Sequence, residues 1–171
     1  MMRQTNRYQL DNLDLRELQA DAPLHGTGHN SLHVAAWLGD IQAVAILLAT
    51  GCACDARDHY GRTPLHDAAA KGHVDVAALL LGHGADVNAR DGCLRMTPLH
   101  WAASGGHEAM VALLLTHGAH PRLKDQSRNT AETLATQQNH HAVLAVIRAN
   151  SHTREKDRGR SVRRSENGGV R

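Results

Sequence analysis

Thr63-Pro-Leu-His-Asp-Ala-Ala decides how this chain folds, because the stretch occurs three times at a nearly constant interval. Its copies are Asn30-Ser-Leu-His-Val-Ala-Ala, 33 residues earlier, and Thr97-Pro-Leu-His-Trp-Ala-Ala, 34 residues later. A fainter copy, Thr130-Ala-Glu-Thr-Leu-Ala, begins a further 33 residues on. Each full copy leads to a second landmark, Leu47-Leu48, Leu79-Leu80-Leu81 or Leu113-Leu114-Leu115, and then to Gly51, Gly84 or Gly118. Self-similarity at such a period marks a stacked repeat architecture.

Residues 58–90 show what one copy builds. Thr63 caps a helix start through its hydroxyl, and Pro64 takes the first helical position, where a missing N–H costs nothing. Leu65, Ala68 and Ala69 share one face, and the two alanines let a neighbouring helix approach closely. Gly72 ends this short helix. A second helix is predicted from about His73 to His83, with Val76, Leu79 and Leu80 inward and Gly84 as a left-handed stop. Ala85-Asp-Val-Asn-Ala then extends as one arm of a hairpin that leads into the next Thr-Pro. Such a unit cannot bury its apolar face alone, so neighbours stack into one continuous core.

Period and motif together resemble the ankyrin repeat, whose Thr-Pro-Leu-His-x-Ala signature the chain matches over about residues 25–150. The resemblance implies an all-α ankyrin-repeat solenoid with three full repeats, 25–57, 58–90 and 91–124, and a C-terminal capping unit over 125–150. In that last copy Glu132 replaces the core leucine and Thr133 the histidine, as expected where one face meets water. Leu10, Leu13, Leu15 and Leu18 fall near helical spacing and predict an N-terminal capping helix within the arm 1–24. Residues 151–171 lack a periodic apolar pattern and read as a disordered basic tail.

The composition of the 171 residues fits this reading. Charged residues are 21% and apolar residues 42%, ordinary for a globular chain. There is no Phe, while 26 Ala and 21 Leu dominate, which suits closely packed helices. Residues 1–150 carry 12 basic and 14 acidic groups, net −2, against 7 and 3, net +4, in 151–171. The repeat region is therefore not expected to bind nucleic acid directly. No apolar run is longer than Ala43–Ala49, which is far too short to span a bilayer, and no apolar stretch follows the polar start. Three cysteines are too few to staple a secreted scaffold of this size. The expectation is a monomer in a reducing compartment, cytoplasmic with the nucleus as a second location, without membrane or cofactor.

Fourteen histidines invite a metal hypothesis, and His25, His29 and His33 fall at i, i+4 and i+8. The repeat opposes it: His33, His66 and His100 are the signature histidines, which the resemblance assigns to bracing the turn through backbone hydrogen bonds, and His73 and His107 start second helices. Cys52 and Cys54 stand where the next unit has Ala85 and Val87, so small buried hydrophobes are favoured over a metal pair. Cys93 is placed in a hairpin, exposed. No phosphate loop, nucleophile elbow, dinucleotide fingerprint or helix-borne His-Glu-x-x-His occurs, and no catalytic role is assigned.

Positions not used by the framework vary between copies, and in ankyrin repeats these form the partner-binding surface. In the hairpins they include His59, Tyr60, Arg62, Leu94, Arg95 and Met96; on the inner helices, Trp37, Leu38, Lys71 and Ser104. A Trp beside a Leu, with Tyr60 and an Arg nearby, has the composition of a binding hot spot; the alternative is that Trp37 covers the N-terminal cap. Trp101 follows a signature histidine and is assigned to packing between units. Leu80 followed by Asp86-Val-Asn resembles an asparaginyl-hydroxylase recognition pattern, which makes Asn88 a candidate modification site, against a purely local role in tying the hairpin. Ser161 and Ser165 lie in a basic cluster that reads as a solvated tail, a nuclear signal or a kinase target.

The resemblance implies a non-enzymatic adaptor, scaffold or inhibitor that binds a folded protein. Within the family, Ala85-Asp-Val-Asn-Ala-Arg-Asp and the following Leu-Arg-Met-Thr-Pro-Leu-His-Trp-Ala are similar to the beta subunit of the GA-binding protein transcription factor, whose hairpin tips hold an Ets-type DNA-binding partner. This chain departs from it by one extra residue in the 91–96 hairpin. The likeness implies an alternative role as a transcription-factor regulatory subunit. Compact cyclin-dependent kinase inhibitors share the repeat number, which implies kinase inhibition as a more distant alternative.

Overall fold

Pro64 and Pro98 sit at the first helical position of their helices, and Thr63 and Thr97 stand in extended conformation just before them, so the repeated motif starts a helix wherever it occurs complete. The computed structural model describes residues 31–151. Its inner helices are α1 (Ser31–Leu38), α3 (Pro64–Lys71), α5 (Pro98–Ser104) and α7 (Ala131–Gln137). Each is followed by an outer helix: α2 (Ile41–Ala49), α4 (Val74–Gly82), α6 (Glu108–Thr116) and α8 (141–151). No strand occurs among the described residues. The hairpin arms instead run as turns closed by single backbone bonds, Asp58 N–H to Arg62 C=O, Asp91 to Met96 and Asp125 to Asn129.

The inner helices pack in series, α1 on α3 on α5 on α7, and the outer helices form a second row, α2 on α4 on α6. The core runs between the rows as one cluster. Leu32, Leu65 and Leu99 fill it from the inner side, and Val44, Leu80 and Leu114 from the outer side, all of them 1% exposed or less. Paired alanines, Ala35-Ala36, Ala68-Ala69 and Ala102-Ala103, are buried where inner helices meet. Small side chains there permit the close spacing that a core without phenylalanine requires. Leu79, expected inward, is half-buried against the edge of this cluster.

The fourth helix pair shows how the stack terminates among the described residues. Glu132 is half-exposed and joins Arg148 of α8 at 2.8 Å instead of entering a core. Thr133 is exposed and replaces the histidine of the motif, its hydroxyl meeting that of Thr130 at 2.9 Å. The expected N-terminal capping helix, His25, His29, Ser161, Ser165 and the basic tail lie outside the described residues.

Candidate partner-binding surface

Two ladders of histidine set the spacing of the units. In the first, each signature ring reaches the carbonyl just before the next motif: His33 Nε2 to Arg62 O at 3.0 Å, His66 to Met96 O at 3.2 Å and His100 to Asn129 O at 3.3 Å. The other ring nitrogen of His66 accepts from Thr63 N–H at 3.0 Å. Nδ1 is thus unprotonated and Nε2 carries the hydrogen, so the ring is neutral and fully engaged. In the second ladder His73, His107 and His140 bond Trp37 O, Ala70 O and Ser104 O, each at 3.1 Å. These rings lie across the end of the preceding inner helix, where Gly39, Gly72 and Gly106 leave room for them.

The tips are shaped by an aspartate in each hairpin. Asp58 Oδ1 accepts from Tyr60 N–H at 2.9 Å and Arg62 N–H at 2.8 Å; Asp91 Oδ1 takes Leu94 N–H at 2.8 Å; Asp125 Oδ1 takes Asn129 N–H at 2.7 Å. This is the local bonding that lets Asp impose a turn on its own backbone. Adjacent tips are tied edge to edge by Gly92 N–H to Tyr60 O and Gln126 N–H to Leu94 O, both 2.7 Å.

On this frame Trp37 is 39% and Tyr60 54% exposed, and Leu38 and Leu94 are also open to solvent. Lys71 Nζ stands 3.9 Å from the centroid of the Trp37 ring, and the Arg62 guanidinium 5.4 Å from that of Tyr60. Both are cation–π geometries. His59, Lys71 and Arg95 are exposed, while Arg62 and Ser104 are half-buried. Met96 departs from expectation. It is 8% exposed, because the residue directly before the motif threonine is held by the frame: its N–H meets Asp91 and its C=O meets His66. The extra residue in the 91–96 hairpin leaves Leu94 and Arg95 exposed at the tip, while Met96 holds the same place as Arg62 and Asn129 in the other two hairpins.

Residues 7–91 and 92–157 each match a family model described as ankyrin repeats (3 copies). The chain belongs to the ankyrin-repeat family. No match is found among curated proteins. Ankyrin repeats mediate protein–protein interaction, and the exposed tips and inner-helix ends are the positions this ankyrin frame leaves free to vary.

Other candidate residues serve the ankyrin frame itself. Trp101 is half-buried against the core, and its indole N–H donates to Asp91 Oδ2 at 3.1 Å, bracing the tip of its own unit. Asn88 bridges two units: its Nδ2 donates to Gly118 O at 3.3 Å and its Oδ1 accepts from His120 N–H at 2.9 Å. Cys52 is buried, Cys93 is exposed, and burial with the neighbouring Asp55 pushes the Cys54 thiol up from its ordinary range. Among the described residues no helix is long and apolar enough to cross a membrane.

Asp67 gave no signal in the sequence, since its place is held by Val34, Trp101 and Leu134 in the other units. It is 1% exposed, and neither carboxylate oxygen accepts a hydrogen bond. Burial pushes its carboxyl up to about 7, opposed by the Arg62 guanidinium 3.6 Å away. Asp67 therefore lies directly beneath the Tyr60–Arg62 tip.

Proposed function

We propose that this chain is a non-enzymatic binding module that holds a folded protein partner against its hairpin tips and the concave side of its inner helices, between the first and third units. One observation carries the reading: large aromatic side chains stand exposed beside cations, Trp37 with Lys71 and Tyr60 with Arg62, the latter cation held in place by Asp58 at 2.9 Å. Aromatic and arginine side chains dominate binding energy at protein interfaces. The surrounding frame is rigidly hydrogen-bonded, so little order has to be imposed on binding.

The test is capture from a cell lysate with the wild-type chain and with Trp37→Ala and Tyr60→Ala baits. A protein retained by the wild type and depleted on both variants supports the reading. Equal retention on all three baits contradicts it.

A further inference from the structure

We propose that the three hairpin tips form a cationic platform for a short acidic segment of a protein partner, with Tyr60 and Leu94 as apolar anchors and Arg95, Lys124 and Arg128 supplying charge; this rests on the protein-binding function above.

The described residues separate their charges sharply. Segments 57–62, 90–96 and 122–129 hold seven Lys or Arg against three Asp, net +4, while the rest of 31–151 holds two against seven acidic groups, net −5. The three tip aspartates do not present their charge outward. Asp58 and Asp91 are buried, Asp125 is half-buried, and all three carboxylates are occupied by N–H groups of their own loops or by Trp101. Arg95, Lys124 and Arg128 are exposed.

Backbone conformation adds an independent sign. At the position where the 57–62 tip has Gly61, φ +69°, the other two tips have Arg95 at +54° and Arg128 at +66°. Arginine in the left-handed region is unfavourable relative to glycine, and local strain of this kind clusters at binding sites. The platform is also locked. Besides the two tip-to-tip backbone bonds, Arg57 donates to Arg90 O at 2.8 Å and Arg90 to Lys124 O.

The partner follows from this distribution. The basic tail 151–171, net +4, has the same sign of charge as the platform and does not complement it. A long nucleic acid would overrun the tips onto the acidic remainder, and of the two anchors only Tyr60 offers a base a stacking face. A short acidic peptide with an aliphatic side chain matches both the charge and the apolar anchors.

The probe is a dodecapeptide of glutamate with two leucines, titrated into the isotopically labelled full chain and followed by amide shifts. Shifts centred on Tyr60, Leu94, Arg95 and Arg128, with affinity falling about tenfold or more from about 50 to 300 mM salt, support the proposal. The Arg95→Glu/Arg128→Glu double variant should weaken binding about tenfold or more; should it melt early, Arg95→Gln/Arg128→Gln should still lose about threefold. Shifts elsewhere, an unaffected folded variant, or a single-stranded oligonucleotide of equal charge binding as tightly would overturn it. If the peptide fails while a captured partner still depends on Trp37 and Tyr60, the acidic platform is refuted and the protein-binding function stands.

Discussion

His66 and Asp67 are adjacent in α3 and both buried, yet they respond to pH in opposite directions. Burial holds the His66 imidazole down to about 4, and His100 is lowered by the same cause. An unfolded histidine titrates near ~6.5, so between about 6.5 and 4 the unfolded chain binds the proton and the folded one does not. The contribution is therefore complete above that window and is lost as pH falls through it, amounting to roughly 3 kcal/mol for His66. Asp67 is raised from 3.8 to about 7, so the folded chain holds the proton and stability declines as pH rises through that interval. Denaturant melts of Asp67→Asn should show a gain of roughly 4 kcal/mol at pH 8 that vanishes below pH 4. They should also uncover a rise in stability from about pH 4 to 6.5, driven by the histidines and level above that window. Equal stability of wild type and variant at pH 8 would show that burial does not raise the Asp67 carboxyl.

At the scale of the helix, each unit depends on a core leucine and on the glycine that ends its first helix. Leu65 and Leu99 are 1% exposed or less, and their replacement by alanine should cost about 2–5 kcal/mol through lost transfer energy and a residual cavity. The exposed Lys71→Ala should cost about 1 kcal/mol or less, the scale of a surface cation–π contact. Glycine positions give a finer test. Gly72 and Gly84 both have positive φ, +74° and +89°, but a Cβ on Gly72 would stand 2.7 Å from the His107 ring while one on Gly84 meets nothing within 4 Å. Gly84→Ala should cost about 1–2 kcal/mol for conformation alone, and Gly72→Ala distinctly more, because it displaces the ring that joins the second unit to the third. Equal costs in urea melts would mean that this histidine ladder contributes nothing to coupling. Most of this level was legible in the sequence: the motif placed the caps, the leucines and the stops, because each is a local demand of backbone geometry. Contacts between units were not, because Lys71 meets Trp37, and His73 its carbonyl, across a full repeat. Met96 turns inward for a related reason: it stands directly before the motif threonine, where Asp91 of its own hairpin and His66 of the preceding unit hold it, and residue type alone does not reveal this. Asp67 was silent because its neighbours, not its identity, make it unusual.

For the whole molecule, the central claim is that the ankyrin frame and the recognition surface use separate residues. Units couple to neighbours only, so damage to one core leucine should spread along the stack, whereas loss of an exposed anchor should leave the stack intact. Calorimetric titration of the captured partner against wild type, Trp37→Ala, Tyr60→Ala and a chain lacking 152–171, each paired with a thermal melt, measures both halves together. Each alanine variant should lose about 2 kcal/mol or more of binding at a nearly unchanged melting temperature. Tail removal should alter mainly the salt dependence and rate of association. Abolished binding on tail removal, with both alanine variants binding as wild type, would contradict the account.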